Sequence, residues 1–320
     1  MLDFNVGLAS AVDASKLWDL IIIGGGPAGL TAGLYAARYK LSTLLLEKGA
    51  VSGGQLMSTE WVENYPGFPE PVLGSKLASD MEAQARFFGM EILSEPVQSV
   101  NLARVEKTVQ TAYNTFRAKT ILIATGSSPR KLGLPGEDEF SGKGVSYCAT
   151  CDGPFYPDKV VAVAGGGNSA FEESLFIARY AKEVHIIHRR DKFTADQLLQ
   201  DRVATEPKIK LITNTVIESL DFADANKRSI MLKSTLDGST HSMPVDGLFV
   251  FVGNVPNTTL FEGQLETRGG YLVTDREHKC SVEGVWAAGD VQDKALRQVA
   301  TAVGDGAAAA FFINKYLMGH

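Results

Sequence analysis

Two glycine-rich turns, each at the end of an apolar run, constrain this chain more than any other feature, and a Cys-x-x-Cys lies just before the second. Gly24-Gly25-Gly26-Pro27-Ala28-Gly29 follows Leu20 to Ile23, and Gly165-Gly166-Gly167-Asn168-Ser169-Ala170 follows Val160 to Ala164. Leu30 to Arg38 and Phe171 to Tyr180 read as the helices that come next. Glycine lets a chain turn sharply off a strand and lets its backbone approach a pyrophosphate, while the helix start offers free N–H groups and partial positive charge. One such turn also occurs for purely structural reasons. The strand-turn-helix setting of both copies points to two dinucleotide sites and an α/β fold of two Rossmann-like domains.

The strand after each helix separates the two sites. Thr43 to Leu46 ends in Glu47, eighteen residues after Gly29, where an acid accepts hydrogen bonds from ribose hydroxyls. Gly24, Gly26, Pro27, Ala28, Gly29 and Glu47 therefore suit an unphosphorylated adenosine ribose, as in FAD or NAD. The same count from Ala170 lands on His188, which ends Val184 to Ile187 and precedes Arg189 and Arg190. Gly165, Gly167, Asn168 and Ser169 with His188, Arg189 and Arg190 suit a 2′-phosphate, as in NADP. The competing reading of the second trio is a solvated strand end.

At 320 residues the chain exceeds the usual size of a single core, so two domains are expected. Punctuation by Pro and Gly at Pro129 to Gly136 and at Gly253 to Pro256 marks two crossings. The second domain, 129–255, is thus inserted in a first domain made of 1–128 and 256–320. Gly53 to Pro69 lacks periodicity and reads as a long functional loop. Gly74 to Gly89 reads as a helix, Thr120 to Ala124 and Leu248 to Val252 read as strands, and Gly284 to Asp290 and the alanine-rich Val303 to Ile313 are expected to return to the first domain.

A net charge of −6 and the absence of long basic runs give no electrostatic case for nucleic acid or an anionic membrane. No segment reaches the roughly 20 apolar residues that span a bilayer. Met1 to Trp18 lacks a basic leader region and contains Asp3 and Asp13, so no signal peptide is expected and the cytoplasm is the default compartment.

Cys148-Ala149-Thr150-Cys151 has too few companions for a zinc site, since Cys280 alone cannot complete four ligands. Its two readings are a pair of structural thiols and a reversible disulfide at a helix start, where two intervening residues let the sulfurs meet. Asp152 follows as a general acid or base for the dithiol, or as a helix N-cap. Cys280 reads as a packing residue.

The chain resembles the low-molecular-weight thioredoxin reductases, NADPH- and FAD-dependent flavoproteins, over nearly its whole length. The resemblance rests on Gly24 to Gly29, Gly53-Gly54-Gln55-Leu56, Glu63-Asn64-Tyr65-Pro66-Gly67, Ala124-Thr125-Gly126, Cys148 to Gly153, Gly165 to Ala170, His188-Arg189-Arg190, and Ala287 to Val291 with Arg297-Gln298. It implies a homodimer whose discontinuous domain holds FAD and whose inserted domain holds NADPH and the dithiol. It further implies that Glu47 to Gln55, including Gly54, and the loop around Asn64 line the flavin. Thr125 and Gly126 join that set, and Asp290, Arg297 and Gln298 contact its ribityl-phosphate and ring region. By the same resemblance Cys151 lies against the flavin ring, Cys148 attacks the thioredoxin disulfide, Asp152 is the acid-base group, and the domains rotate between two arrangements.

One departure stands out. The family carries a third arginine four residues after the pair, and Thr194 is here instead. A charge-assisted hydrogen bond is worth ~1.5–3 kcal/mol, so preference for NADPH over NADH is expected to weaken. NADH or a reduced ferredoxin as donor, a different thioredoxin-like partner, and a flavin-loaded redox sensor without turnover are the alternative readings.

Overall fold

A computed structural model describes residues 12–59, 61–224 and 227–319. The opening segment, expected not to be a signal peptide, lies outside these residues up to position 11. The chain divides into two compact units, Met1–Ser127 with Pro256–His320, and Ser128–Val255. Helices of the described residues are α1 (Pro27–Arg38), α2 (Gly74–Phe87), α3 (Ala149–Asp152), α4 (Asn168–Ile177), α5 (Gln197–Thr205) and α6 (Val299–Leu317).

The first unit is built on a sheet in the order Glu91–Leu93, Thr43–Leu46, Leu17–Ile23, Thr115–Ile123, Lys107–Thr111, Val97–Asn101. Leu17–Ile23 pairs in parallel with Thr43–Leu46 and with Thr115–Ile123. Thr115–Ile123 is long enough to serve two partners along one edge. Its start pairs antiparallel with Lys107–Thr111, and its end pairs in parallel with the returning Val285–Ala287. The run Leu20 to Ile23 is apolar at every position because both faces of a parallel sheet are covered. Ile21 and Ile23 enter a core with Trp18, Phe116 and Phe261, whereas Leu20 and Ile22 enter a second core with Leu30, Trp286 and Ile313.

Two small residues bring α6 onto α1. A Cβ on Gly306 would lie 2.2 Å from the Ala28 carbonyl oxygen, so the helices meet closely only because the side chain is missing. Ala309, Ala310 and Ile313 complete the buried face of α6.

In the second unit the sheet runs Val145–Ser146, Gly247–Phe251, Val160–Gly165, Glu183–Ile187, Ile209–Ile212, all parallel. Val161 and Val163 pack with Phe171, Ile177 and Phe249 on one face, while Ala162 and Ala164 pack with Ile230, Leu232 and Leu248 on the other. An antiparallel sheet of Thr215–Asp221, Ser229–Ser234 and Thr240–Pro244 covers that second face. This sheet was not anticipated, since its strands mix Ser, Thr, Lys and Glu and carry little apolar signal. Gly53 to Pro69 is also less irregular than expected: Gly54–Ser58 forms a 3-10 turn and Trp61–Val62 pairs with Val72–Leu73.

Glu137 ties the start of this unit together. It is buried, and it accepts hydrogen bonds from the Leu132, Gly133 and Leu134 amides at 2.9, 2.7 and 3.1 Å and from the Tyr147 hydroxyl at 2.6 Å. Burial pushes its pKa up, but the Tyr147 hydroxyl and the three amides outweigh burial and hold the carboxyl below its ordinary value. A carboxylate depressed in the folded state contributes stability above the unfolded pKa of ~4.3, and loses it as the pH falls through the folded value. Glu137→Gln should therefore cost about 2–3 kcal/mol at pH 7. Thermal melts should show that gap closing as the pH drops below about 4.3. A gap that stayed constant down to pH 3 would mean the charge contributes nothing.

Candidate functional site

In the first unit the strand ends come into line. Ile23 is paired with Leu46 on one side and Ile123 on the other, and Ile123 is paired with Ala287. Gly24, Glu47, Ala124 and Ala288 consequently emerge together at the C-terminal edge, where the chain order switches about Leu17–Ile23, the place at which open α/β sheets take their ligands. Gly24 has φ +107° and a Cβ there would lie 2.4 Å from the Ala124 carbonyl oxygen. At Gly29 a Cβ would lie 2.0 Å from the Gly24 carbonyl oxygen, whereas none of the described residues lies within 4 Å of one on Gly26. Gly24 and Gly29 thus make the turn tight, and Gly26 leaves space in front of it. Pro27 opens α1, Ala28 follows, and Gly26 as N-cap supplies no side chain to occupy the free amides. Uncapped amides at a helix start, facing open space, are the kind of group that binds an anion.

Glu47 faces this turn. Its Oε2 accepts from the Gly25 amide at 2.6 Å and its Oε1 from the Gly49 amide at 3.0 Å. Each oxygen keeps a further lone pair, so the carboxylate holds the turn and remains able to accept from ribose hydroxyls.

The other expected flavin residues gather in the same unit. Gln55 Nε2 lies 3.4 Å from Asp290 Oδ2 and 3.5 Å from Ser127 Oγ. Gly54, with φ +55°, brings its backbone close to Gly26, since a Cβ on it would lie 3.2 Å from the Gly26 Cα. Asn64 donates to Gln298 Oε1 at 3.1 Å, and Gln298 forms a capping box with Thr301 at the head of α6. Arg297 lies 3.9 Å from the centre of the Tyr271 ring and donates to the Gln292 carbonyl. Thr125 turns instead toward the returning chain: its hydroxyl donates to the Asn257 carbonyl at 2.7 Å, and Asn257 donates to the Thr125 carbonyl at 2.8 Å. Gly126, φ +65°, accepts from the Asn257 amide.

Asp290 tests whether these residues fit a flavin nucleotide. Its Oδ1 is buried without a hydrogen-bond partner among the described residues, and burial raises its pKa. An unsatisfied acceptor of this kind needs a donor, and a polyol chain with hydroxyls supplies one. Together with the open space at Gly26, the donor set fits FAD. Lys294 and Asp305 escaped sequence reasoning: Asp305 Oδ2 accepts from Lys294 and from the Gly289 amide at 3.1 Å, holding the turn that presents Asp290. Nothing in their spacing marks such a pair.

The second unit repeats the design at the end of Val160–Gly165. A Cβ on Gly165 would lie 2.4 Å from the Phe251 carbonyl oxygen, and one on Gly166 would lie 2.2 Å from His188 Nδ1. Glycine at 166 is what lets the imidazole lie against the turn. His188 Nε2 sits 3.0 Å from the Lys192 carbonyl oxygen, placing its proton on Nε2. Gly167 caps α4, which begins at Asn168 and Ser169. Arg189 and Arg190 are exposed, and neither guanidinium has a hydrogen bond or ion pair among the described residues. Thr194 points back: its amide and hydroxyl donate to the Gly166 carbonyl at 2.8 and 3.2 Å.

Cys148 is in a disulfide. Its amide donates to Ser146 Oγ and its carbonyl accepts from the same hydroxyl, both at 3.1 Å, so the buried Ser146 holds the residue that leads into α3. Asp152 closes α3 and precedes the 3-10 turn Gly153–Phe155, yet its side chain caps neither amide of that turn. It lines a cavity of about 290 Å³ with Tyr156, Lys159, Arg228 and Asp246. Cys280 is buried and its thiol is pushed up to about 12 by burial, which makes it inert. Among the described residues no group of three or more His, Cys, Asp or Glu is placed to hold a metal, and no helix is long and apolar enough to cross a membrane.

Residues 18–306 match the pyridine nucleotide-disulphide oxidoreductase family. The chain is 46% identical over 303 residues to a thioredoxin reductase of Listeria innocua, covering 94% of each chain. It superposes on the thioredoxin reductase of Lactococcus lactis with a TM-score of 0.91 at 39% identity, covering 95% of this chain and all of that one. The corresponding values for the T. acidophilum thioredoxin reductase are 0.87, 34%, 94% and 99%. With two parallel-sheet units, a glycine turn at the switch point of each and a disulfide beside the second, the chain belongs to the thioredoxin reductases of the pyridine nucleotide-disulphide oxidoreductase family.

Proposed function

We propose that Cys148 and Cys151 form the redox pair of this enzyme, with the first unit holding FAD and the second NADPH. The protein is a thioredoxin-disulfide reductase that uses both cofactors. The observation that carries the assignment is the Cys148 disulfide at the head of α3, in the same unit as the second glycine turn and Arg189 and Arg190. When bound, FAD supplies two-electron transfer between a nicotinamide and a disulfide.

The chain's own residues then act on the partner. With the pair reduced, the Cys148 thiolate attacks one sulfur of the thioredoxin disulfide, breaking that S–S bond and forming a mixed disulfide. The departing sulfur leaves as a thiolate and takes a proton. The Cys151 thiolate next attacks the Cys148 sulfur, which re-forms the internal disulfide and releases the second thioredoxin thiolate, protonated in turn. Two electrons leave the dithiol and thioredoxin gains two electrons and two protons. Asp152, lining its cavity with no capping duty, is assigned the transfer of a proton at this site.

Gly24, Gly26, Pro27, Ala28 and Gly29 are assigned to the flavin nucleotide's pyrophosphate, Glu47 to its ribose, and Gly54, Gln55, Asn64, Thr125, Gly126, Asp290, Arg297 and Gln298 to the rest of the cofactor. Gly165, Gly167, Asn168, Ser169, His188, Arg189 and Arg190 are assigned to NADPH. The inward turn of Thr194 favours a second reading of the donor, with NADH used alongside NADPH. A homodimer working in the cytoplasm completes the proposal.

Anaerobic titration of the purified protein with NADPH and with NADH, followed by addition of thioredoxin, is the test. The protein should be yellow, should bleach with about one equivalent of NADPH per two-electron acceptor, and should oxidise further NADPH when thioredoxin is added. A colourless protein that refuses FAD, or one that bleaches but leaves thioredoxin oxidised, would rule the function out.

A further inference from the structure

The loop that carries Arg189 and Arg190 is fastened to the glycine turn at its far end, and the fastening is unusual. Asp196 is the N-cap residue of α5 but its side chain makes no cap hydrogen bond, forgoing the use to which an aspartate there is ordinarily put. It turns instead to Asn168, the first residue of α4. Asn168 Nδ2 donates to Asp196 Oδ2 at 2.7 Å, and the Asp196 amide donates to Asn168 Oδ1 at 2.8 Å. Both polar ends of the Asn168 amide are thus engaged by one residue. Beside this pair, the Thr194 amide, the Thr194 hydroxyl and the Ala195 amide all donate to the Gly166 carbonyl, at 2.8, 3.2 and 3.1 Å. At the near end, the His188 amide donates to the Ile212 carbonyl, the His188 carbonyl accepts from the Thr215 amide, and His188 Nε2 meets the Lys192 carbonyl.

We infer that the Asn168–Asp196 pair is a positioning clasp that fixes the 188–196 loop, so that Arg189 and Arg190 are pre-set to read a 2′-phosphate. This rests on the reading that the second unit takes NADPH. The physical reason is entropic: two exposed guanidiniums on a free loop must be ordered at each binding event, whereas a closed loop has been ordered on folding. Asn168 on this account holds the loop, and the pyrophosphate is left to the backbone of the turn.

The test compares Asp196→Ala, Asp196→Asn and Arg189→Ala in the flavin-loaded enzyme. Steady-state KM and kcat for NADPH and for NADH are measured at one ionic strength, with the dissociation constant of 2′,5′-ADP as a readout independent of turnover. Asp196→Ala should raise KM for NADPH and weaken 2′,5′-ADP roughly tenfold, the loss of about one charge-assisted hydrogen bond. Its kcat should hold and its NADH parameters should move less than about twofold, which also shows that the variant is folded. Asp196→Asn keeps an oxygen for Asn168 Nδ2 and should recover most of the loss. Equal effects of Asp196→Ala on both nucleotides, or an Asp196→Asn as poor as Asp196→Ala, would overturn the clasp while Arg189→Ala still separates the nucleotides. If Arg189→Ala itself fails to separate them, the 2′-phosphate reading is wrong and the clasp falls with it.

Discussion

Cys148→Ser should abolish thioredoxin reduction and leave reduction of the bound flavin by NADPH intact. The serine hydroxyl is a far weaker nucleophile than a thiolate and forms no disulfide, so both exchange steps stop at once. Loss of a covalent nucleophile costs on the order of 10⁴-fold or more in turnover, far beyond any change that altered packing at this site would cause. Ser146 supports Cys148 through main-chain atoms, and those contacts do not depend on the sulfur. Stopped-flow mixing with NADPH should therefore show flavin bleaching at close to the wild-type rate. Thioredoxin turnover within tenfold of wild type in this variant would refute the disulfide relay.

Gly29→Ala should yield a protein that no longer retains FAD. An added Cβ would stand 2.0 Å from the Gly24 carbonyl oxygen, a contact between two pieces of backbone with no flexible side chain to give way. Relieving it requires opening the turn, at a cost beyond the ~1–3 kcal/mol typical of overpacking. The amides aimed at the pyrophosphate are displaced in the process. Gly304→Ala is the control: it lies within α6, with open space around its Cβ position and no positive φ. That change should add about 0.5–1 kcal/mol of stability through helix propensity, with flavin retained. The comparison uses the flavin-to-protein absorbance ratio after purification and the dissociation constant on reconstitution. A Gly29→Ala protein as yellow as the Gly304→Ala protein would show that the turn does not cradle the cofactor.

The dithiol is legible in the sequence because a Cys-x-x-Cys is local and its spacing alone limits what the sulfurs can do. The glycine turns are legible for the same reason. Strands that must be apolar on both faces read as Leu20 to Ile23 and Val160 to Ala164, and each glycine follows within one residue of the strand end. What escaped is non-local. Asp305 and Lys294 hold the Gly289 amide and the Asp290 turn, and no periodicity connects them. Thr215–Asp221, Ser229–Ser234 and Thr240–Pro244 cover a core with one face only, so their exposed positions dilute the apolar pattern below recognition. Asp152 stood between an N-cap and an acid-base group, and its local sequence suits either. The structure leaves its side chain out of the cap.

By itself, the sequence determined that this chain makes two α/β units, that each ends a buried strand in a glycine turn, and that a Cys-x-x-Cys precedes the second. These features depend on steric rules and hydrogen-bond demands within a few residues, which hold in any context. Only the tertiary structure decided which side chains are free to act. Thr194 and Asn168 both look available in the sequence, yet each is engaged across the loop by groups 28 residues away. The guanidinium groups of Arg189 and Arg190 are left without such partners among the described residues. Hydrogen-bond saturation is a property of the packed neighbourhood, because a donor's partner is set by where the chain returns and not by what stands next to it.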